Sequence, residues 1–251
     1  MIIIGEKING SIPIVAEAIA KRDSEFIKER AKLQAESGAT YIDCCASVPE
    51  AEEVETLKWM IDCIQEVTDL PISIDSPSPD VLAQAYKFCK KPGIFNSVSG
   101  EGHKIDTINW RMMRCVPYLW NDMPKCAADR LKVFDKIMAK AKEYGIAPDR
   151  IHIDPLVEML CTSEDGIATN IETITSVREQ YPTIHITVAI SNISFNLPVR
   201  KLINYGFLVL AMNAGLDSGI MDPTNKDMLG LVYATEALLG LDDLNRAGGY
   251  G

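Results

Sequence analysis

The stretch "ISIDSPSPD", residues 72–80, places the carboxylate of Asp75 directly after a short apolar run. The prolines that follow end the strand, because proline cannot donate to a strand ladder. The stretch "IHIDPLVE", residues 151–158, repeats this arrangement with Asp154. An acid at the end of a buried strand, found twice, predicts a parallel sheet with polar groups along its carboxyl edge.

Short apolar segments of this kind alternate with longer segments of helical period. Most of them do not alternate in polarity, as expected for strands buried on both faces of a parallel sheet. We predict eight strands, at residues 2–8, 40–46, 71–76, 93–99, 112–120, 151–156, 186–192 and 217–222. Eight strands alternating with helices in 251 residues predict one (β/α)8 TIM-barrel domain over residues 1–251. A doubly wound open sheet is the alternative, but the first turn, "GEKINGS", lacks the Gly-rich pattern GxGxxG.

Capping residues place several of the intervening helices. Asp23 is predicted to cap the N-terminus of a helix that Gly38 ends. Gly145 ends another helix in the same way. Residues 198–214 and 225–240 form helices that are apolar enough to be core or interface.

The composition limits the class of partner and the compartment. A formal net charge of −10 argues against a nucleic-acid backbone or an anionic membrane as the main partner. No run approaches the roughly 20 apolar residues of a membrane span. The seven cysteines show no CxxC spacing, and the opening "MIIIGEKING" lacks an export signal. We therefore expect a cytoplasmic protein with free thiols.

Polar residues follow most of the predicted strands. In a TIM barrel the carboxyl ends of the strands open into the loops that carry the active site. A single Asp or Asn at such a position is ordinary, because these residues start turns and cap helices. A whole ring of them is harder to explain as caps. The ring consists of Asn9, Asp43, Asp75, Asn96, Asn121 with Asp122, Asp154 and Asn192.

Such a ring suits two kinds of ligand. It could hold a divalent cation through oxygen, or a flat heterocycle through hydrogen bonds. Zinc or iron would favour histidine, but His103, His152 and His185 show no HExxH or HxH spacing. His152 lies two residues before Asp154, so we expect an interior histidine one layer deeper. A pterin fits better than a metal, because its N–H donors match carboxylates and its ring nitrogens match amides. No cluster of basic residues is expected around this largely neutral ligand.

Five stretches carry a family resemblance: "IIIGEKING", "ISIDSPSP", "IFNSVS", "IHIDPL" and "AISNISFNLP". In this order and spacing they resemble the methyltetrahydrofolate:corrinoid methyltransferases of the pterin-binding family, over Met1 to about Gly240. The likeness is greatest to the glycine betaine and O-demethylase types of anaerobic bacteria. It implies a dihydropteroate-synthase-like TIM barrel that moves a methyl group between N5 of tetrahydrofolate and the cobalt of cobalamin on a partner corrinoid protein. It also implies a homodimer.

The resemblance assigns the site by position. Asn192 matches the amide that hydrogen-bonds N5, the nitrogen that carries the methyl group, and is the expected catalytic residue. Glu6 and Asn9 belong to the opening motif and border the site. The substrate-binding residues implied are Asp75, Asn96, Asp154, Asn192, Asn9, Glu6, Asp122 and Ser194. The loops around Asp122, 162–166 and 195–198 are expected to contact the corrinoid protein.

The sequence departs from the family in two places. The crossover at 100–111 is short, and Pro117 falls inside a predicted strand, so this wall of the site depends on Asn121 and Asp122. Cys44 and Cys45 follow Asp43 and are expected to be structural.

Other functions remain open at this point. An altered wall would suit a non-catalytic pterin-binding subunit. A dihydropteroate-synthase-like enzyme is a further alternative, although "CCASVPE" lacks the arginine expected in its second loop. A metal-dependent lyase on the same fold is the third.

Overall fold

A closed barrel of parallel strands forms the centre of the computed structural model, which describes residues 1–99, 113–116, 126–162 and 165–241. Each strand pairs with its neighbours in sequence, and the last strand pairs with the first. The strands are β1 (Ile2–Asn9), β2 (Tyr41–Cys45), β3 (Ile72–Asp75), β4 (Ile94–Ser99), β5 (Met113–Val116), β6 (Ile151–Ile153), β7 (His185–Ala189) and β8 (Ser218–Met221). The predicted TIM barrel is confirmed.

Helices surround the barrel and connect the strands. In the described ranges they are α1 (Pro13–Lys21), α2 (Ser24–Glu36), α3 (Glu50–Val67), α4 (Pro79–Ala85), α5 (Ala127–Glu143), α6 (Gly166–Gln180), α7 (Arg200–Ala214) and α8 (Lys226–Leu239). Short 3-10 helices cover Tyr86–Phe88, Pro148–Arg150 and Ile190–Ser194. Nowhere in the described ranges is a helix both long enough and apolar enough to cross a lipid bilayer.

Local capping chemistry sets the helix ends as predicted. The Asp23 carboxylate accepts a hydrogen bond from the Phe26 N–H at 3.1 Å, which caps α2. Gly38 and Gly145 follow α2 and α5 with φ angles of +94° and +68°, a region that favours glycine. The helix α1 was not predicted, although Pro13 at its first turn is a signal for a helix start.

Two strands are shorter than predicted. β6 ends at Ile153, and β7 ends at Ala189 where the 3-10 turn Ile190–Ser194 begins. Asp154 and Asn192 therefore lie in loops just beyond the strands. The reason is local, because Pro155 has no N–H to donate and the 3-10 turn replaces the ladder of β7.

The departures noted in the sequence fall largely outside the described residues. β5 is described only at Met113–Val116. The crossover at 100–111, Pro117, Asn121 and Asp122 lie outside the described ranges, so the expectations about them stay untested.

The apolar core has two parts. The larger part lies between the strands and the helices, where Ile42 and Ile74 of the barrel and Leu57 and Ile61 of α3 are fully buried. Ile4, Ile94 and Ile220 form a separate buried cluster. Because β4 lies across the barrel from β1 and β8, this second cluster lies inside the barrel, below the strands' carboxyl ends.

His152 is an interior residue, as expected. Its side chain is fully buried, and Nδ1 lies 2.8 Å from the Thr187 hydroxyl of the next strand. Its ring contacts that of His185 at a tilt of 35°, with the centroids 4.7 Å apart. His152 therefore belongs to the packed layer beneath Asp154.

Two glycines give a matched test of packing. A Cβ atom at Gly93, just before β4, would lie 2.0 Å from the Ile72 carbonyl oxygen, whereas one at Gly206 on α7 would meet nothing within 4 Å. We expect Gly93→Ala to lower the free energy of unfolding by about 1–3 kcal/mol. Gly206→Ala should raise it by about 0.5–1 kcal/mol, because alanine loses less entropy in a helix. Urea denaturation measures both, and a neutral Gly93→Ala would contradict the close approach.

Candidate active site

A cavity of about 840 Å³ opens at the carboxyl end of the barrel. Seven residues of the predicted ring and opening motif line it: Glu6, Asn9, Asp43, Asp75, Asn96, Asp154 and Asn192. Asp122, also predicted, lies outside the described residues. Ser194 does not line the cavity, since its side chain is fully buried behind the wall. The closed sheet thus brings side chains from distant parts of the chain into one cavity.

A buried hydrogen-bond network orients the groups on β2 and β4. The Asp43 carboxylate, 2% exposed, accepts a hydrogen bond from the Ser73 hydroxyl at 2.8 Å. The same oxygen accepts from the Asn96 side-chain amide at 3.3 Å. This contact sets which end of the Asn96 amide faces Asp43. Asp43 therefore anchors Asn96 at the wall of the cavity.

The segment after Asp75 is held by its neighbours. The Ser76 N–H donates to the Asn96 carbonyl at 2.8 Å, and the Ser78 N–H donates to the Ser76 hydroxyl at 3.1 Å. Glu53 of α3 packs beneath this turn. Burial raises the pKa of the Glu53 carboxyl, although a hydrogen bond from the Ser76 hydroxyl partly lowers it. These contacts fix the position at which β3 delivers Asp75 to the cavity.

Arg130 of α5 holds the loop that carries Asp154. Its buried guanidinium donates to the carbonyls of Pro155 and Leu156 at 2.6 and 2.9 Å, and to the Glu158 carboxylate at 2.5 Å. One Asp154 oxygen accepts from the Leu156 N–H at 2.8 Å. Because Leu156 has a φ of +60°, an unfavourable angle for leucine, the loop depends on these contacts to keep its shape.

Asn170 of α6 completes this support. Its side-chain amide donates to the Leu156 carbonyl at 3.1 Å. Neither Arg130 nor Asn170 was predicted as a site residue. Each is an unremarkable member of a helix in sequence, and only the packing of two helices against the loop reveals the connection.

Arg200, the first residue of α7, fixes the 3-10 turn that carries Asn192. Its guanidinium donates to the Ser194 hydroxyl at 3.1 Å and to the Ser191 carbonyl at 3.2 Å. The Ser191 hydroxyl in turn donates to a Glu6 carboxylate oxygen at 3.4 Å. Ser194 thus supports the turn from behind, and Ser191 links the turn to β1.

Charged groups also meet at the end of β8. Asp222 directly follows β8, just as Asp75 ends β3, but the sequence analysis did not include it in the ring. Its side chain lines the cavity, and its carboxylate forms an ion pair with the Lys7 ammonium at 3.0 Å. Burial raises the pKa of the Asp222 carboxyl, but hydrogen bonds from Thr224 and Lys7 outweigh it and bring the pKa below its usual value. Burial raises the pKa of the Glu6 carboxyl, and Asp222 adds to the rise, while Lys7 opposes it.

The expectation that no basic cluster surrounds the site is wrong. Lys7, Arg200 and Lys201 all line the cavity. They come from β1 and α7, so the barrel gathers cations that are scattered in the sequence. Lys201 is paired with Asp227 at 2.6 Å. Within the described part of the chain, no three His, Cys, Asp or Glu side chains are grouped so that they could hold a metal ion.

Comparison with known families places the chain. The sequence pattern of the family described as "Pterin binding enzyme" matches residues 14–222. The chain belongs to this family. The predicted membership of the pterin-binding family is thereby confirmed.

The chain is similar to named relatives over different shares of their length. The chain is 46% identical to a methylcorrinoid:tetrahydrofolate methyltransferase from Eubacterium limosum, over 98% of this chain and 94% of the relative. It is 27% identical to a methionine synthase from Mycobacterium leprae over 88% of this chain, which is only 20% of that protein. A Yersinia pestis DHPS structure with a pterine-sulfa conjugate superposes with a TM-score of 0.67 at 15% identity, covering 95% and 94% of the two chains, which shows a shared fold.

Removing the guanidinium of Arg130 tests the support of the pterin-binding barrel's β6 loop. Arg130→Met removes the hydrogen bonds to both carbonyls and to the Glu158 carboxylate, while the Asn170 amide still donates to the Leu156 carbonyl, so we expect a loss of about 1–3 kcal/mol in the free energy of unfolding. Glu158→Gln keeps a hydrogen-bond acceptor and should cost less. The double variant should cost less than the sum of the singles, because the two groups interact. A cost below about 1 kcal/mol for Arg130→Met would show that the loop does not need it.

Proposed function

We propose that this chain transfers a methyl group between the cobalt of a protein-bound corrinoid and N5 of tetrahydrofolate. The likeness to the Eubacterium limosum methyltransferase, which extends over nearly the whole of both chains, carries the proposal. The acidic and amide-lined cavity supports it, because a reduced pterin presents N–H donors to carboxylates and acceptors to amides.

The carboxylates and Asn96 bind the pterin ring in this proposal. Asp75 and Asp154 enter the cavity from β3 and from the loop after β6, and each accepts N–H groups of the ring. Asn96, oriented by Asp43, supplies a further hydrogen bond. Asn9 borders the ring from the end of β1, where its side chain accepts from the Ser11 N–H at 2.9 Å.

Asn192 acts on the reacting nitrogen. Breaking the bond between a tertiary amine and a methyl group is slow, because the amine is a poor leaving group. A hydrogen bond that strengthens as charge develops on N5 lowers the barrier selectively. An amide does not titrate in the useful range, so Asn192 stabilises the protonated nitrogen but does not supply the proton. The turn held by Arg200 keeps Asn192 in place.

The corrinoid belongs to a separate protein in this proposal. The described barrel occupies most of the chain, and its cavity opens to solvent where that protein would approach. Phe195 beside the opening is 42% exposed and lies under the Arg200 guanidinium at 4.7 Å, which supports the 195–198 loop as a contact. Of the 162–166 loop, residues 163 and 164 lie outside the described ranges. The direction of transfer follows from the reactant concentrations and the reaction free energy.

We further propose a cytoplasmic homodimer. Cys44, Cys45, Cys63, Cys89, Cys126 and Cys161 are free thiols, which suits a reducing compartment. Leu202 on α7 and Leu238 on α8 are 66% and 86% exposed, and covering them would favour association. Analytical ultracentrifugation measures the oligomeric state, and a monomer at micromolar concentration would contradict the homodimer.

A spectroscopic assay tests the proposed reaction. When the protein is added to methylcob(III)alamin and tetrahydrofolate without oxygen, we expect the cobalamin spectrum to change to that of cob(I)alamin as methyl leaves cobalt. A chelator should not abolish the change, which separates this reaction from a metal-dependent lyase. Binding of tetrahydrofolate without any spectral change would instead identify a non-catalytic pterin-binding subunit. Incorporation of p-aminobenzoate would indicate a dihydropteroate-synthase-like enzyme.

Two substitutions separate chemistry from binding. Asn192→Ala should lower the rate of methyl transfer by about 100-fold while the Kd for tetrahydrofolate changes much less, because its hydrogen bond strengthens in the transition state. Asp75→Ala should chiefly weaken binding. Single-turnover kinetics and calorimetric titration measure the two effects. A parental rate for Asn192→Ala would remove this residue from the chemistry.

A further inference from the structure

The proposed methyl transfer changes the number of protons on N5. Tetrahydrofolate carries a hydrogen on N5, and the methylated product does not. One proton must therefore leave N5 when methyl arrives from cobalt, and one must arrive when methyl departs. Asn192 does not titrate in the useful range, so if the protein itself exchanges this proton, a titratable group near the turn of Asn192 must do so.

Contacts within the cavity narrow the choice among its acids. Asp43 lines the cavity but is only 2% exposed, and its carboxylate is held by hydrogen bonds from the Ser73 hydroxyl and the Asn96 amide. Asp222 is held by Lys7 and Thr224, and its lowered pKa makes it a poor proton acceptor. In the proposed function, Asp75 and Asp154 already accept hydrogen bonds from the N–H groups of the pterin ring. The remaining acid of the described lining is Glu6 on β1.

The position of Glu6 connects it to the reacting nitrogen. Its carboxylate accepts from the Ser191 hydroxyl at 3.4 Å, and Ser191 directly precedes Asn192 in the 3-10 turn. We infer that Glu6 exchanges the N5 proton through the hydroxyl of Ser191. This inference rests on the proposed function and assigns Glu6 a role beyond bordering the site.

The step balances without a further reactant. When methyl moves to folate, the N5 lone pair forms the bond to the methyl carbon. The cobalt–carbon bond breaks, and its electron pair stays on cobalt, which is reduced from Co(III) to Co(I). The N5 proton passes to the Ser191 hydroxyl as that hydroxyl gives its own proton to Glu6. The reverse transfer moves the proton in the opposite direction.

The surroundings of Glu6 suit this exchange. Burial raises the pKa of its carboxyl, which makes the carboxylate a stronger base and, once protonated, leaves an acid that functions nearer to neutrality. Asp222 at the end of β8 raises the pKa further, whereas Lys7 on β1 and Arg200 on α7 lower it. From β2, Asp43 lines the same cavity. Removing one of these charges should therefore shift the pKa of Glu6 in a known direction, and that shift can be measured.

Glu6→Gln tests the inference directly. The amide oxygen still accepts a hydrogen bond from Ser191, but the side chain no longer takes a proton. With methylcob(III)alamin and saturating tetrahydrofolate, we expect single-turnover methyl transfer to fall by about 100-fold. The Kd for tetrahydrofolate should change far less. In the parent the rate should fall as the pH drops through the pKa of Glu6, and this limb should be missing from Glu6→Gln.

Substituting the neighbouring charged residues tests the direction in which the pH dependence of the rate should shift. Asp222→Asn removes a charge that raises the pKa of Glu6, so the limb should move to lower pH. Lys7→Gln removes a charge that lowers it, so the limb should move to higher pH. Glu6→Asp should keep a limb at a reduced rate. Glu17→Gln on the exposed surface of α1 is the matched control and should leave the rate and the profile as in the parent.

The outcomes are distinct. The inference is overturned if Glu6→Gln keeps the parental rate or the limb, or if the Lys7 and Asp222 variants shift the limb in the same direction or not at all. It is also overturned if Glu6→Gln loses rate only in proportion to lost folate binding. Failure of the proposed function would show differently, because the parent itself would then transfer no methyl group.

Discussion

Closure of a parallel sheet is the constraint on which the rest of this structure depends. Because all the strands run in one direction, every strand delivers its carboxyl end to the same rim. A side chain that follows one strand therefore meets side chains that follow the others, however far apart they lie in sequence. Asp75 and Asn192 share a cavity for this reason alone.

The rim would be imprecise without a layer of support beneath it. Asp43 orients Asn96, Arg130 holds the loop of Asp154, and Arg200 holds the turn of Asn192. Each contact pairs a charged group with a buried or half-buried polar atom, where a hydrogen bond is stronger than in water. The groups proposed to meet the ligand are thereby placed before it binds, which lowers the cost of ordering them.

Local patterns predicted much of the architecture. Apolar runs ended by proline or a polar residue identified the strands, and caps such as Asp23 and Gly38 identified helix ends, because both signals depend on neighbours in sequence. The lengths of β6 and β7 were overestimated, since a turn begins wherever the backbone changes its hydrogen-bond partner. Asp222 carried the same signal as the other acids and could have been found.

By itself the sequence determined the barrel, the family and most of the polar groups at the rim. The reason is that strands are recognised from neighbouring residues, and the family from the order of its motifs along the chain. Only the tertiary structure decided that Arg130, Asn170 and Arg200 support the rim, and that Glu6 reaches Ser191 from the far end of the chain. These contacts join residues whose spacing follows no repeat. They exist because helices pack against loops at angles and depths that the closed sheet imposes.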